Sequence, residues 1–159
     1  MFFPVLFVFC SDCGIENSKF THNDGVCTLL NSDGNNIQAN LFEDGFHGFL
    51  LDYFSENNLL VHNVFSGNQF CGVVCEESSN KNMIIENDFF DNNLRNAFII
   101  NAFRNQWSGN YWDDWIGLKY TFFQSFPKVI TGSIFDSYQQ ITSLFNFDPN
   151  PSMSPYEIR

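Results

Sequence analysis

The chain has 159 residues, 18 acidic against 7 basic, a formal charge of −11 and an apolar fraction of 44% in which Phe alone occurs 21 times. That length predicts one domain. The acidic balance excludes nucleic acid and anionic membrane faces, which need a basic surface, and leaves cations, neutral glycans and protein partners open.

Met1 to Phe9 is apolar apart from Pro4. It lacks a basic n-region and a small-x-small cleavage site, and it is too short to span a bilayer. Phe7-Val8-Phe9 is also bulkier than a lipoprotein-type Cys10 would take. Aligning Pro4 to Asp12 with Gly25 to Asp33 instead predicts strand over residues 3–9. Residues 1–13 are thus read as an incomplete N-terminal turn, and the chain as the C-terminal part of a longer protein. Five cysteines (Cys10, Cys13, Cys27, Cys71, Cys75) cannot all pair within one chain. Cys10-Ser-Asp-Cys13 has no second C-x-x-C and no H-x-x-x-H to complete a zinc site, so buried free thiols are the expectation.

Asparagine then recurs at Asn17, Asn40, Asn63, Asn87 and Asn110, with gaps of 23, 23, 24 and 23 residues. Ile37, Leu60 and Ile84 stand three positions before the middle three; Phe42, Phe65, Phe89 and Trp112 stand two positions after the last four. A period of this length signals a solenoid, whose repeats bury their apolar faces against one another. Turns are read from about Gly14 to Gly34, Asn36 to Asn57, Asn58 to Lys81 and Asn82 to Arg104. Each holds two short runs rich in Val, Ile and Phe, the second opening at Gly25, Gly48, Gly72 or Ala97. Such runs between Asn, Asp, Gly and Ser read as strands and turns.

The fold class is therefore all-β, a parallel β-helix of about four to five turns, with residues 14–104 as the repeats. Stacking like on like makes an inward aromatic row of Phe42, Phe65, Phe89 and Trp112 and an aliphatic row of Ile37, Leu60 and Ile84. The periodic Asn residues are expected at a tight bend, in the left-handed backbone region, with their amides bonding along the stack. Asn68 and Asn92 form a partial second polar row, replaced by Gly45 and His22 in other turns. Gly25, Gly48 and Gly72 are expected where the backbone turns sharply.

The pattern Asn-x-x-Ile-x-x-Asn-x-Phe followed by Gly-Ile-x-Leu resembles the repeats of the pectate-lyase-like superfamily. It is most similar to archaeal surface or secreted β-helix proteins related to the periplasmic copper-binding family that serves nitrous oxide reductase. Asn105-Gln-Trp-Ser-Gly-Asn-Tyr-Trp-Asp-Asp-Trp115 looks like the closing segment of those proteins, and Asn146 to Ile158 resembles their N-F-D-x-x-P-x-x-x-P-Y-D/E-I ending. The resemblance implies a right-handed coil, in keeping with parallel crossovers, and an extracellular or cell-surface location. Residues 105–159, including Phe122, Phe123, Phe126 and Ile134-Phe135, are expected to form a closing turn and an irregular cap over the open end. The N-terminal end of the coil is left to contact missing turns or another chain.

Chemistry concentrates at Trp107, Tyr111, Trp112, Asp113, Asp114 and Trp115, where rings beside carboxylates suit a sugar or Ca²⁺. The favoured reading is structural: Trp107 and Trp112 pack in the cap while Asp113 and Asp114 terminate a turn. Carboxylate pairs for glycoside cleavage would come from Glu43 and Asp44 with Asp91, or from Asp52 with Glu76 and Glu77. The basic residues Lys19, Lys81, Arg95 and Arg104 are scattered across phases, which counts against a lyase. His22, His47 and His62 fall at different phases and Met83 is far from Met153, so the residues offer copper no convergent set. No catalytic residue and no resident cofactor are assigned. The expected function is a non-catalytic secreted or cell-surface module associated with carbohydrate or with other surface proteins. A polysaccharide-cleaving coil and a periplasmic copper-delivery protein are the rivals.

Overall fold

The computed structural model describes residues 4–115, 117, 126–135, 141–156 and 158. β1 (Leu6–Val8), β2 (Gly14–Glu16) and β3 (Lys19–Thr21) open a triplet that repeats four times. The second and third turns are β4 (Cys27–Leu30), β5 (Asn36–Gln38), β6 (Leu41–Glu43), then β7 (Phe49–Asp52), β8 (Leu59–Val61), β9 (Val64–Ser66). The fourth and fifth are β10 (Cys71–Cys75), β11 (Met83–Ile85), β12 (Asp88–Phe90), then β13 (Arg95–Ile100), β14 (Gln106–Ser108), β15 (Tyr111–Trp112). β16 (Lys128–Phe135) and β17 (Ile141–Asp148) follow. Like strands stack in parallel into two five-stranded sheets and one seven-stranded sheet. The molecule is an all-β parallel solenoid of about five turns.

The inner rows run as the repeat requires and further. Ile15, Ile37, Leu60, Ile84 and Trp107 are in register in the second sheet. In the third sheet Phe20, Phe42, Phe65, Phe89 and Trp112 stack with ring centroids 5.1, 5.2, 5.1 and 4.3 Å apart. The first sheet contributes Cys27, Phe49, Val73 and Ala97, and beside them Leu29, Leu51, Cys75 and Ile99. Each fully buried Phe or Leu contributes about 1.5–3 kcal/mol.

Phe20 and Ile15 expose a slip of one residue in the first turn. Their register places Ser18, not Asn17, in the asparagine row: the Ser18 N–H donates to Asn40 Oδ1 at 3.0 Å. Asn17 is exposed and left-handed, at φ 49°. The left-handed residue is the one before the row throughout, at Ala39, His62, Glu86 and Gly109. The row needs buried amides rather than left-handed tolerance, which corrects the expectation for Asn40, Asn63, Asn87 and Asn110. The same slip shifts the N-terminal alignment, because Leu6 pairs Thr28 and Ser11 pairs Asp33.

Gly48 and Gly72 serve close approach and have no left-handed φ. A Cβ on Gly72 would lie 2.6 Å from the Asn96 carbonyl and 2.9 Å from the Phe89 ring. Val26, not Gly25, occupies the corresponding position, one residue before Cys27 in register with Phe49.

Two further rows stack beside the first. Asn35, Asn58, Asn82 and Asn105 repeat it with Asn Nδ2 to Oδ1 distances of 2.9, 3.0 and 3.1 Å. Ser32, Ser55 and Ser79 form a hydroxyl row, each Oγ accepting the N–H one turn back, from Cys10, Ser32 and Ser55. Every one of these side chains is buried, so their pairing meets the requirement that buried polar groups be satisfied.

The cap, expected to be irregular, contains a regular hairpin. β16 continues the first sheet parallel to β13, and β17 returns antiparallel to it. Asp148 at the end of β17 is fully buried. Its carboxylate accepts the Asn110 N–H at 2.9 Å, Asn110 Nδ2 at 2.9 Å and Trp112 Nε1 at 3.2 Å, and so terminates the row that Ser18 begins. Phe122 and Phe123 lie outside the described residues.

Candidate functional site

The closing turn is built by β14 and β15, the last rungs of the second and third sheets. Trp107 and Trp112 are 2% and 1% exposed and lean on each other with ring centroids 5.8 Å apart. Buried rings offer a sugar no face, so these two serve the core. Tyr111 and Trp115 are half-buried, and Asp113 and Asp114 are exposed. All four carboxylate oxygens of that pair are engaged. Asp113 accepts Asn96 Nδ2 at 2.7 Å and the Asp91 N–H at 2.6 Å. Asp114 accepts Asn96 Nδ2 at 2.9 Å and the Lys128 ammonium. A Ca²⁺ ion here would have to displace Lys128, which fits poorly with a cation seat.

A second concavity was not visible in the sequence. The corner after the first sheet carries a column of left-handed residues, Asp12, Gly34, Asn57, Lys81 and Arg104, with φ between 56° and 68°. Its last two members, with Glu56, Asn80 and Phe103, face Leu144, Phe145 and Asn146 of β17 across a groove of about 710 Å³. Phe103 and Phe145 are 42% and 54% exposed. Lys81 Nζ lies 2.7 Å from Glu56 Oε2, and this bond holds the Glu56 carboxyl below its usual pKa. Asn80 Oδ1 fixes the Phe103 backbone at 2.6 Å. Arg104, exposed, has no ion pair or hydrogen-bond partner among the described residues. The signal was split: the cations sit one period apart, but their partners come from a hairpin some 40 residues later in the chain.

The carboxylate candidates divide. Glu43 and Asp44 are separated from Asp91 by the intervening Ser66 and Gly67 rung, and they pair instead with Lys19 at 3.4 Å and His22 at 3.5 Å. Asp52 and Glu76 do stand on neighbouring rungs, since Leu51 pairs Cys75. Burial raises the pKa of both, and charge repulsion adds to it, from Glu77 on Asp52 and from Asp52 and Glu77 on Glu76.

Soft donors do not converge. His62 is bound to Glu86 at 2.8 Å. His47 Nδ1 accepts the Cys71 N–H at 3.2 Å, and burial lowers its pKa. Cys10 and Cys13, expected as buried free thiols, are instead half-exposed and joined in a disulfide. Cys27, Cys71 and Cys75 are buried free thiols, pushed by burial up to about 12, 11 and 12. Among the described residues no group of three or more His, Cys, Asp and Glu is placed to hold a metal ion.

No curated protein and no solved structure matches this chain. A protein-family model does, over residues 5–117, which spans all five turns of the coil. The chain belongs to that family, described as the periplasmic copper-binding protein (NosD) family.

Proposed function

We propose that this chain is a non-catalytic β-helix module working outside the cytoplasm, secreted or at the cell surface, whose corner groove holds a glycan. Kinship with pectate-lyase-like coils and archaeal surface proteins is part of that reading. The observation that supports it is the composition of the groove. Two exposed ring faces suit the C–H faces of sugars, Asn80 and Asn146 suit their hydroxyls, and the volume is that of a ligand site. Lys81 and Arg104 against Glu56 give the groove one net positive charge in a chain of −11, which favours a glycan bearing carboxylates. The closing-turn residues Tyr111, Asp113, Asp114 and Trp115 are the competing seat for the same ligand. An array of neutral and acidic oligosaccharides tests both. Phe103→Ala and Phe145→Ala are expected to weaken binding about tenfold each without lowering Tm. Loss confined to Trp115→Ala would move the site to the closing turn, and no binding at all would end the reading.

Copper, named in the family description, does not fit the donor set present. The imidazoles are engaged at separate phases and the free thiols are buried and protonated, whereas thiolate is the metal ligand. The family's periplasmic description agrees with an extracytoplasmic site of action, and no helix among the described residues is long and apolar enough to cross a membrane.

The second reading, a polysaccharide-cleaving coil, is favoured by one observation, the Asp52 and Glu76 pair. Strands about 4.8 Å apart put such carboxyls near the spacing of a retaining glycosidase. Reducing-end release from a polysaccharide panel, lost in Glu76→Gln, would establish it.

A further inference from the structure

The Cys10–Cys13 disulfide closes a corner that the rest of the molecule builds without one. Cys10 occupies the place of Ser32, Ser55 and Ser79: its N–H donates to Ser32 Oγ at 3.0 Å, as the Ser32 N–H does to Ser55 Oγ at 3.2 Å. Cys13 occupies the place of Asn35, Asn58 and Asn82, its N–H donating to Asn35 Oδ1 at 2.9 Å, as the Asn35 N–H does to Asn58 Oδ1 at 2.9 Å. The carbonyls of both cysteines are tied as well, accepting from Asp33 N–H at 3.0 Å and Asn36 N–H at 2.9 Å. Three later turns make the same bend with serine and asparagine alone.

The cross-link is therefore not what shapes the corner. Its stabilising effect is also small in kind, because the entropy a disulfide removes from the unfolded chain falls with loop length, and this loop is closed between residues three apart. What distinguishes the pair is access. Both cysteines are half-exposed beside the exposed Ser11 and Asp12, whereas Cys27, Cys71 and Cys75 are buried.

We propose that Cys10–Cys13 is a thiol–disulfide exchange site, cleaved by an external dithiol and re-formed by an external disulfide while the coil stays folded. A thiolate of the dithiol attacks one sulfur of the pair, the S–S bond breaks, and the departing cysteine takes a proton. The second thiol of the partner then resolves the mixed disulfide. Two electrons and two protons pass to the chain, giving two cysteine thiols, and the partner leaves as its disulfide. The rungs on Ser32 and Asn35 hold the backbone in both states, so either state is accepted by the scaffold.

The test uses the oxidised full chain, dithiothreitol as the dithiol, and alkylation followed by peptide mass mapping under native conditions. Two labels at Cys10 and Cys13 and none at the other three cysteines are expected. The coil should stay folded with Tm lowered by no more than about 8 °C, and oxidised glutathione should restore the disulfide. A double variant, Cys10→Ser with Cys13→Asn, copies the later turns; it should fold with the Tm of the reduced chain and take no label at those two positions. The proposal is overturned if the pair resists reduction until the chain unfolds. It is equally overturned if reduction, or the double variant, melts the coil.

Discussion

Asn63 shows what one position in the row has to do. Its amide donates to the Ile37 carbonyl at 2.7 Å and to Asn87 Oδ1 at 3.0 Å, while its Oδ1 accepts both the N–H and the Nδ2 of Asn40 at 3.0 and 3.1 Å. Only a short side chain with both a donor and an acceptor meets all four demands, and this is why the row could be seen in the sequence at all. Asn63→Ala leaves several buried groups unpaired and is expected to cost roughly 3 kcal/mol. Asn17→Gly, off the row and left-handed already, should stay within about 0.5 kcal/mol of the native chain. Urea melts of the two variants separate the positions. Composition alone could not, because Asn17 keeps the 23-residue gap while the true rung, Ser18, breaks it. Phe20, two residues after Ser18, carried the phase that the asparagine hid.

Strands of two to six residues were legible in the coil because each inward side chain has an in-register copy one period away. The hairpin β16–β17 had no such copy, and its exposed Val129, Phe135, Phe145 and Phe147 blur the inside-outside alternation that marks a strand. Its end was legible only as a resemblance, and the structure gives that ending a physical role: Asp148 closes one row, and Tyr156 docks on another strand. The Tyr156 N–H donates to both oxygens of Asp88 at 3.0 Å. Burial raises the Asp88 carboxyl to about 6, against the lowering effects of that bond and of His62. The folded chain thus holds this proton more tightly than the unfolded chain does. Stability from this group is greatest at low pH, falls as pH rises from the ordinary carboxyl value towards about 6, and is flat above that. Asp88→Asn should remove this downward slope from a plot of Tm against pH, while the native chain keeps it.

At the scale of the whole molecule, apolar rows line the inside of the described coil and the buried asparagine rows bond along themselves. That turns attention to the outer face, where the sequence offered a single dense cluster around Trp107 to Trp115. Half of the rings in that cluster turn inward. The groove at the corner could not be read from the chain because it is made by stacking, Lys81 under Arg104, and by a hairpin whose path the repeat does not specify. The same stacking leaves the soft metal donors apart among the described residues, and our proposal is that the corner groove takes a carboxylated glycan. The most direct measurement of that claim is calorimetric titration of the full chain with a carboxylated oligosaccharide and its neutral counterpart, alongside Arg104→Gln. Saturable binding of the acidic sugar is expected, weakened about tenfold or more in Arg104→Gln and by added salt, with the neutral sugar binding more weakly. Equal heats for both sugars, or an unchanged affinity in Arg104→Gln, would contradict it.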